Sequence, residues 1–206
     1  MRNLFIISAL IAVFTYNHAA MALDNPKQFK NWMVRGRAIA VVPQEDASLS
    51  IGGNVEIDNT VVPELDITYF FDKNWSTELI LAVTPHDVTA TAGNIDLGSV
   101  WLLPPTLTLQ YHFDTDESWK PYLGAGINYT RFFNADKGPA IASIDYESSI
   151  GPALQAGFDV PLQEDWYLNF DVKKIWVNTD VRVNGTINAD VDIDPWVVGI
   201  GLGYRF

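Results

Sequence analysis

Cysteine is absent from the 206 residues, so the fold does without disulfide bonds. Basic residues are scarce. The chain has 13 Lys and Arg against 25 Asp and Glu, and its formal net charge of −12 argues against nucleic-acid binding, which needs a basic stripe. Beyond the N-terminal stretch the sequence has no apolar run of about 18 residues, which excludes a helical membrane protein.

Residues that carry catalysis are also few. Histidine occurs three times, and past residue 22 the histidines are His86 and His112. The sequence has no Gly-x-Ser-x-Gly nucleophile elbow, and the two histidines lack metal-ligand spacing. Gly124-x-Gly126 lies within a predicted strand and is not a phosphate-binding loop. We expect a protein that is not an enzyme and that holds no cofactor or metal.

The N-terminal residues have the parts of a signal peptide. Arg2 supplies a positive charge, Leu4–Phe14 is an apolar run, and Ala20-Met21-Ala22 is an A-x-A cleavage site. We therefore predict a signal peptide over residues 1–22 and an exported domain over residues 23–206.

Apolar and small or polar residues alternate with period two over much of the chain, and the last residues show this pattern most clearly. From Trp196 to Phe206 the even positions are large and apolar, whereas the odd positions are mostly small, with one charge at Arg205. Strict alternation predicts a strand, and an apolar face with an aromatic residue at each end is typical of a lipid-facing strand. The terminal Phe206 also resembles the signal by which outer-membrane barrels are recognised by the barrel-assembly machinery.

Seven earlier segments alternate in the same way. Each has roughly ten residues or slightly more, a length that suits a tilted membrane-spanning strand. With the last segment, the predicted strands are Trp32–Val42, Thr60–Phe71, Trp75–Thr84, Pro104–Phe113, Lys120–Phe133, Ser149–Val160, Trp166–Trp176 and Trp196–Phe206.

The connections between these strands alternate between long and short. Membrane barrels have long extracellular loops and short periplasmic turns, so we predict an all-β fold, an eight-stranded antiparallel transmembrane β-barrel with both termini in the periplasm. Several prolines near the outer strand starts predict broken strand pairing there: Pro63, Pro104, Pro105, Pro152 and Pro195. The predicted long loops are Pro43–Asn59, Pro85–Leu102, Asn134–Ser148 and Val177–Asp194.

The inward-facing residues of this barrel divide by height. Buried charges must be paired, so the lower half predicts an ion-pair network that plugs the lumen, although the network could serve only to hold the strands together. The upper half predicts an apolar funnel for small hydrophobic molecules, with core packing under the loops as the alternative. The plug set is Arg35, Arg37, Asp66, Glu78, His112, Asp159, Asp171 and Arg205. The channel-lining set is Ile39, Val41, Val62, Ile80, Phe132, Ile175 and Val197.

Two functions follow from this lumen. A charged floor is costly for an apolar molecule to cross, so the first is passage of small hydrophobic molecules with lateral release into the membrane. The alternative is a structural or receptor barrel without transport. Its acidic outer loops would bind a partner or hold divalent cations that bridge lipopolysaccharide, although a solvated acidic face explains these loops as well.

Several segments resemble the OmpW family. They are Leu103-Pro104-Pro105-Thr106-Leu107, Pro121–Thr130 (PYLGAGINYT), Asp194-Pro195-Trp196 with Gly203–Phe206, and Glu78–Pro85. The resemblance covers essentially the whole mature chain. It implies an eight-stranded outer-membrane barrel of Gram-negative bacteria with a narrow hydrophobic channel. That family, with its alkane-uptake relative AlkL, is associated with passage of small hydrophobic molecules and lateral release. Some members are also bacteriocin receptors. The loops of this chain are acidic and differ from those of the family, so the receptor role is not transferred to it.

One pair of residues departs from the pattern expected of such a strand. Lys173 and Lys174 stand where bulkier apolar or aromatic side chains are expected. By parity Lys174 faces lipid, which is costly unless its ammonium group reaches the headgroup level.

Overall fold

The computed structural model describes residues 29–49, 54–91, 94–115, 118–139, 141–185 and 187–206. The predicted signal peptide, residues 1–22, lies outside these ranges. The described residues form fifteen strands. They contain no helix that is both long and apolar enough to cross a membrane. The strands are β1 Trp32–Val42, β2 Asp46–Leu49, β3 Val55–Ile57, β4 Thr60–Phe70, β5 Trp75–Ala82, β6 Thr84–Ala90, β7 Ile95–Leu103, β8 Thr106–His112, β9 Lys120–Lys137, β10 Ile144–Tyr146, β11 Ser149–Pro161, β12 Trp166–Ile175, β13 Asn178–Val183, β14 Ile187–Asp192 and β15 Trp196–Arg205.

Eight of these strands close into an antiparallel barrel, which confirms the predicted fold class. The order around the wall is β1-β4-β5-β8-β9-β11-β12-β15, and β15 pairs with β1 to close the ring. Trp32 and Phe206, near the two ends of the described chain, exchange backbone hydrogen bonds of 3.1 and 2.8 Å. Both ends of the barrel chain therefore lie at the same rim, the one that carries the short turns. We call this the lower rim.

The long connections are not loops, and here the sequence interpretation was wrong. They rise above the barrel as hydrogen-bonded strands that form two small sheets. One sheet contains β3, β6, β7 and the upper part of β9, and the other contains β10, β13, β14 and β2. We call these two sheets the extension. Their alternation was overlooked because the outward positions carry acids: Asp180 and Asp190 lie directly opposite each other, whereas Val181 and Val191 point inward and are buried.

Strand pairing is interrupted where the barrel meets the extension. The ladder between β4 and β5 ends at Glu64 and Ala82, and β4 continues upward to Thr60 paired with β1. Among the described residues, no register pairs the stretch Thr60–Pro63 with the stretch Val83–Pro85. This unpaired stretch, which we call the seam, carries Pro63 on one side and Pro85 on the other, and proline cannot donate a ladder hydrogen bond.

The prediction that prolines break the pairing is correct, although at some positions only one of the two ladders is interrupted. Pro104 and Pro105 lie outside β7 and β8 and interrupt the wall between them. Pro63 and Pro152 instead lie opposite Ala38 and Ile127, respectively, in continuous ladders on one side, whereas on the other side of Pro63 the ladder between β4 and β5 stops at Glu64, next to this proline. Proline is tolerated there because each strand residue directs its N–H to one neighbouring strand, and pairing with the other can continue.

The outer face of the barrel is apolar and ends in an aromatic girdle. Directly opposed aromatic pairs surround the lower rim, with ring centroids 4.8 Å apart for Trp32 and Tyr69 and 5.1 Å apart for Trp166 and Tyr204. Above them the exposed side chains are aliphatic, and an apolar surface this extensive is covered by lipid. The aliphatic belt includes Leu65, Leu107, Leu109, Leu123, Ile127, Leu154, Val198, Ile200 and Leu202.

The side chain of Lys174 reaches polar partners although its position on the strand faces lipid. Its ammonium nitrogen lies 5.5 Å from the centroid of the Trp196 ring and donates to the side chain of Gln44 at 3.2 Å and to the backbone carbonyl of Asp194. The side chain thus reaches the upper edge of the apolar belt, where its charge has polar partners. Lys173 points the other way, into the lumen, as its parity predicts.

Candidate functional site

The lower half of the lumen is filled by a network of ion pairs centred on two arginines of β1. Arg35 contacts Asp159 through two bonds, Nη2 to Oδ2 at 2.8 Å and Nε to Oδ1 at 3.3 Å. Its Nη1 also donates to Asp66 Oδ1 at 3.1 Å and to the Thr68 hydroxyl at 2.7 Å. Arg35 is fully buried, and each of its three guanidinium nitrogens has a hydrogen-bond partner in the lumen, as a buried charge requires.

Arg37, one step higher on the same strand, contacts two more acids and shares Asp66 with Arg35. Its Nε donates to Glu64 at 2.6 Å, and its Nη2 donates to Glu78 at 2.6 Å and lies 3.0 Å from Asp66 Oδ2. Gly201 makes room for this side chain, because a Cβ there would lie 2.6 Å from the Cγ of Arg37. The alternating glycines of the last strand therefore allow long charged side chains to fit inside a narrow barrel.

The top of the network is a lysine that does not belong to the plug set predicted from the sequence. Lys173 is buried, and its Nζ lies 2.5 Å from Asp171 Oδ1 and 3.4 Å from Glu64 Oε1. Both Lys173 and Glu64 also face the space above them. These two residues therefore form the charged floor of the upper lumen, and their inward parity was the signal that could have placed them there.

Neutral side chains link the acids to one another. Gln155 Nε2 donates to Glu78 at 2.9 Å and to Asp171 at 2.8 Å, and the Tyr122 hydroxyl donates to Asp171 at 2.7 Å. Gln110 donates to Glu78 as well. Because the donors are spread over most strands of the wall, the network also ties the barrel together across its centre.

Two residues assigned to the plug from sequence lie outside the ion pairs. His112 hydrogen-bonds Ser76 at 2.9 Å and packs between aromatic rings below the network. Arg205 lies at the lower rim, where its guanidinium carbon is 3.8 Å from the ring centroid of Phe70 and its Nε donates to the carbonyl of Lys30 at 2.8 Å. The parity that placed both side chains inward does not set their height.

Above the floor lies a first apolar cavity, which we call the lower cavity. Its volume is about 40 Å³, enough for a few water molecules. Five of the seven residues assigned to the channel lining from sequence line it: Ile39, Val41, Ile80, Ile175 and Val197.

A second apolar cavity, the upper cavity, lies inside the extension and was not anticipated as a cavity. It has the same accessible volume of about 40 Å³. Phe132 lines this cavity rather than the lower one, and its ring is stacked on Tyr146 with centroids 5.4 Å apart. Val62, the remaining residue assigned to the lining, is buried in the same apolar core but lines neither cavity. The alternation Val181, Val183, Ala189, Val191 and Ile193 was the signal that could have revealed this cavity.

The two cavities share three wall residues, His86, Leu102 and Ile193. The two cavities therefore lie next to each other between the extension and the Glu64–Lys173 floor, and we call the pair the conduit. The Nδ1 atom of His86 lies 2.9 Å from the backbone carbonyl oxygen of Asp58. Among the described residues, no group of three or more His, Asp or Glu side chains is placed to hold a metal ion.

Comparison with known proteins places this barrel among outer-membrane proteins. The chain is 41% identical over 182 residues to the uncharacterized outer-membrane protein y4mB of Sinorhizobium fredii, covering 85% of this chain and 80% of that protein. The crystal structure of OprG from Pseudomonas aeruginosa superposes with a TM-score of 0.80 at 30% identity, covering 86% of this chain and 96% of OprG. The solid-state NMR structure of outer membrane protein AlkL superposes with a TM-score of 0.69 at 25% identity, covering 93% of this chain and 97% of AlkL.

These relatives agree with the predicted location. The protein is a transmembrane barrel of the outer membrane of a Gram-negative bacterium, and the apolar belt is the part that faces lipid. The extension then lies on the extracellular side and the lower rim on the periplasmic side. Residues 30–206 match the model of one family, so this chain belongs to the OmpW family.

Proposed function

We propose that this barrel is a conduit by which small hydrophobic molecules cross the outer layer of the outer membrane and leave sideways into the lipid. The observation that carries the proposal is the stacking of two apolar cavities on a closed, charged floor. A molecule in the conduit meets apolar walls above the floor and a buried ion-pair network below it.

The floor favours hydrophobic molecules and opposes their passage straight down. To continue through the lumen, a permeant would have to displace side chains such as Arg37 and Glu78, whose contacts are 2.6 Å long and fully buried. Separating buried charges costs several kcal/mol. An apolar permeant offers these charges no replacement partner, so the downward route is closed to it.

The seam supports a sideways exit. It lies at the height of the lower cavity, since Ala82 and Thr84 on one side line that cavity, and Val61 and Val83 on its outer face are exposed to the lipid side. Among the described residues no ladder hydrogen bonds have to be broken to widen it. A sideways exit therefore costs less than crossing the network.

The upper cavity offers a direct test of the conduit. Ala189 on β14 is buried and lines this cavity, whereas Asn188 beside it is exposed on the outside of the same strand. Ala189→Phe should fill the upper cavity, and cells that carry it should take up radiolabelled toluene several-fold more slowly than cells with the unaltered barrel. Asn188→Phe adds the same ring to the outer surface and should leave uptake unchanged.

The test also separates this function from its alternative. If both variants reach the membrane in equal amounts and toluene uptake is the same for them, for the unaltered barrel and for cells without it, the conduit is wrong. A structural or receptor barrel, with its acidic outer surface meeting lipopolysaccharide through cations, would then be the better reading.

A further inference from the structure

We propose that His86 gives the conduit a preference for hydrophobic molecules that carry a hydrogen-bond donor, such as phenols and alcohols. This inference rests on the conduit function and adds the chemical class of its permeants. It follows from the one imidazole that both cavities share.

The hydrogen bond to Asp58 determines which ring nitrogen carries the proton. Nδ1 of His86 is 2.9 Å from a backbone carbonyl oxygen, and a carbonyl oxygen can only accept. The proton of the neutral ring is therefore on Nδ1, which leaves Nε2 as an acceptor with a free lone pair. In the part of the chain that the structure describes, no group donates to Nε2.

Three of the hydroxyl groups along the conduit are already engaged. The hydroxyl of Thr106 donates to the carbonyl of Pro104, that of Thr130 donates to Asn128, and that of Thr179 donates to the carbonyl of Glu147. The rest of the shared wall, Leu102 and Ile193, is apolar. An unpaired acceptor in an apolar site favours a ligand that brings a donor, because a ligand without one leaves the acceptor desolvated.

The surroundings keep His86 neutral, which the acceptor role requires. Burial lowers the pKa of His86, and the hydrogen bond to the Asp58 backbone, together with the carboxylates of Asp58 and Asp87, opposes that shift without reversing it. Burial raises the pKa of Tyr146 in the upper cavity to about 12, so this phenol carries no charge at neutral pH. Among the described residues that line the conduit, the other charged groups are the mutually paired Glu64 and Lys173.

Phenol and toluene are a matched pair of probes, because they have the same ring and differ in a hydroxyl or a methyl group. The protein, residues 23–206, is labelled with ¹⁵N-histidine and refolded into lipid nanodiscs. Its histidine signals then come from two residues, His86 and His112. Saturating phenol should shift the Nε2 resonance of His86, and toluene should occupy the conduit without that shift. The ratio of phenol affinity to toluene affinity should be about fivefold higher in the unaltered protein than in a variant without the acceptor, because one neutral hydrogen bond contributes about that factor.

Two substitutions separate the acceptor at Nε2 from the anchor, the hydrogen bond that Nδ1 makes with the Asp58 carbonyl. The amide N–H of His86→Asn can occupy the Nδ1 position and keep the bond to Asp58, but it places no acceptor at the Nε2 position. His86→Gln places an amide oxygen near the Nε2 position and gives up the anchor. The preference for phenol over toluene, measured within each variant, should disappear in His86→Asn and persist in His86→Gln.

The outcomes distinguish this inference from the conduit itself. Toluene binding with equal phenol preference in the unaltered protein and in His86→Asn would overturn the role of His86 and leave the conduit standing. Failure of both probes to bind the unaltered protein would overturn the conduit as well. If His86→Asn does not fold, the Nε2 resonance of the unaltered protein decides: a saturable shift with phenol supports the proposal, and its absence refutes it.

Discussion

Arg35 and Asp159 form a two-pronged ion pair across the centre of the barrel, with nitrogen–oxygen distances of 2.8 and 3.3 Å. Their strands, β1 and β11, are separated on the wall by β15 and β12. The pair therefore joins parts of the chain that no ladder hydrogen bond connects. Such a pair holds opposite walls together and occupies the lumen at the same time.

The first prediction concerns the stability that depends on this pair. Arg35→Met should destabilise the folded barrel by about 3–5 kcal/mol, because it leaves the carboxylates of Asp159 and Asp66 buried with too few partners. Guanidinium-induced unfolding in lipid vesicles measures this loss. Lys73→Met removes the partner of Asp114 in an exposed pair of 2.8 Å at the periplasmic side and should leave the unfolding midpoint unchanged. Equal effects of the two substitutions would refute a structural role for the network.

The barrel strands were predictable because lipid on one face and a lumen on the other impose period two on every residue. β1 has the predicted bounds Trp32–Val42, and β12 differs from the prediction by one residue at its end. Lys173 stands where an apolar residue is expected, but its inward-facing position follows from the same constraint. Parity identifies the face of a side chain, but not its partners.

The extension was missed because its strands face water instead of lipid. Acidic and asparagine residues on an outward face are typical of loops when read singly, as in Asp190 and Asp192 of β14. The evidence for strands was the intervening inward series Ala189, Val191 and Ile193. The pairing of β14 with β2, far apart in sequence, depends on how the closed barrel brings Val42 beside Trp196, and no local pattern encodes it.

The second prediction is that the unaltered barrel carries little ion current in a planar bilayer. Arg37 and Glu78 meet inside the lumen and are fully buried, so hydrated ions find no continuous path. The double variant Arg37→Ala with Glu78→Ala removes both side chains and should raise the single-channel conductance. A large current through the unaltered barrel would show that the network does not close the lumen.

The third prediction tests the sideways exit at the seam. Ala82 points into the lower cavity beside the unpaired stretch, whereas Ala40 on β1 points to lipid and pairs with Val61 of the seam. Ala82→Phe should slow the uptake of radiolabelled toluene several-fold, because the ring stands between the cavity and the gap. Ala40→Phe is the matched control and should take up toluene at the unaltered rate. Equal rates for both variants would argue that permeants leave by another route.

The fourth prediction is a loss of stability in the extension at mildly acidic pH. Burial lowers the pKa of His86 in the folded state below its ordinary value of 6.5, so folding favours the neutral ring. The resulting stabilisation is complete above pH 6.5 and is lost as the pH falls below that value toward the folded-state pKa. Protonation would also place a charge in the apolar conduit while Asp58 and Asp87 remain outside it.

Hydrogen exchange can follow this loss locally. The protection factors of amides in β3 and β6, which pair through Val55–Ile57 and Val88–Ala90, should fall between about pH 7.5 and about pH 5. In His86→Asn the same amides should show protection that does not change across this range, because the titrating group is gone. Amides of the barrel strands, such as those of β12, serve as the internal control. A pH-dependent loss that persists in His86→Asn would assign it to the surrounding carboxylates and not to the imidazole.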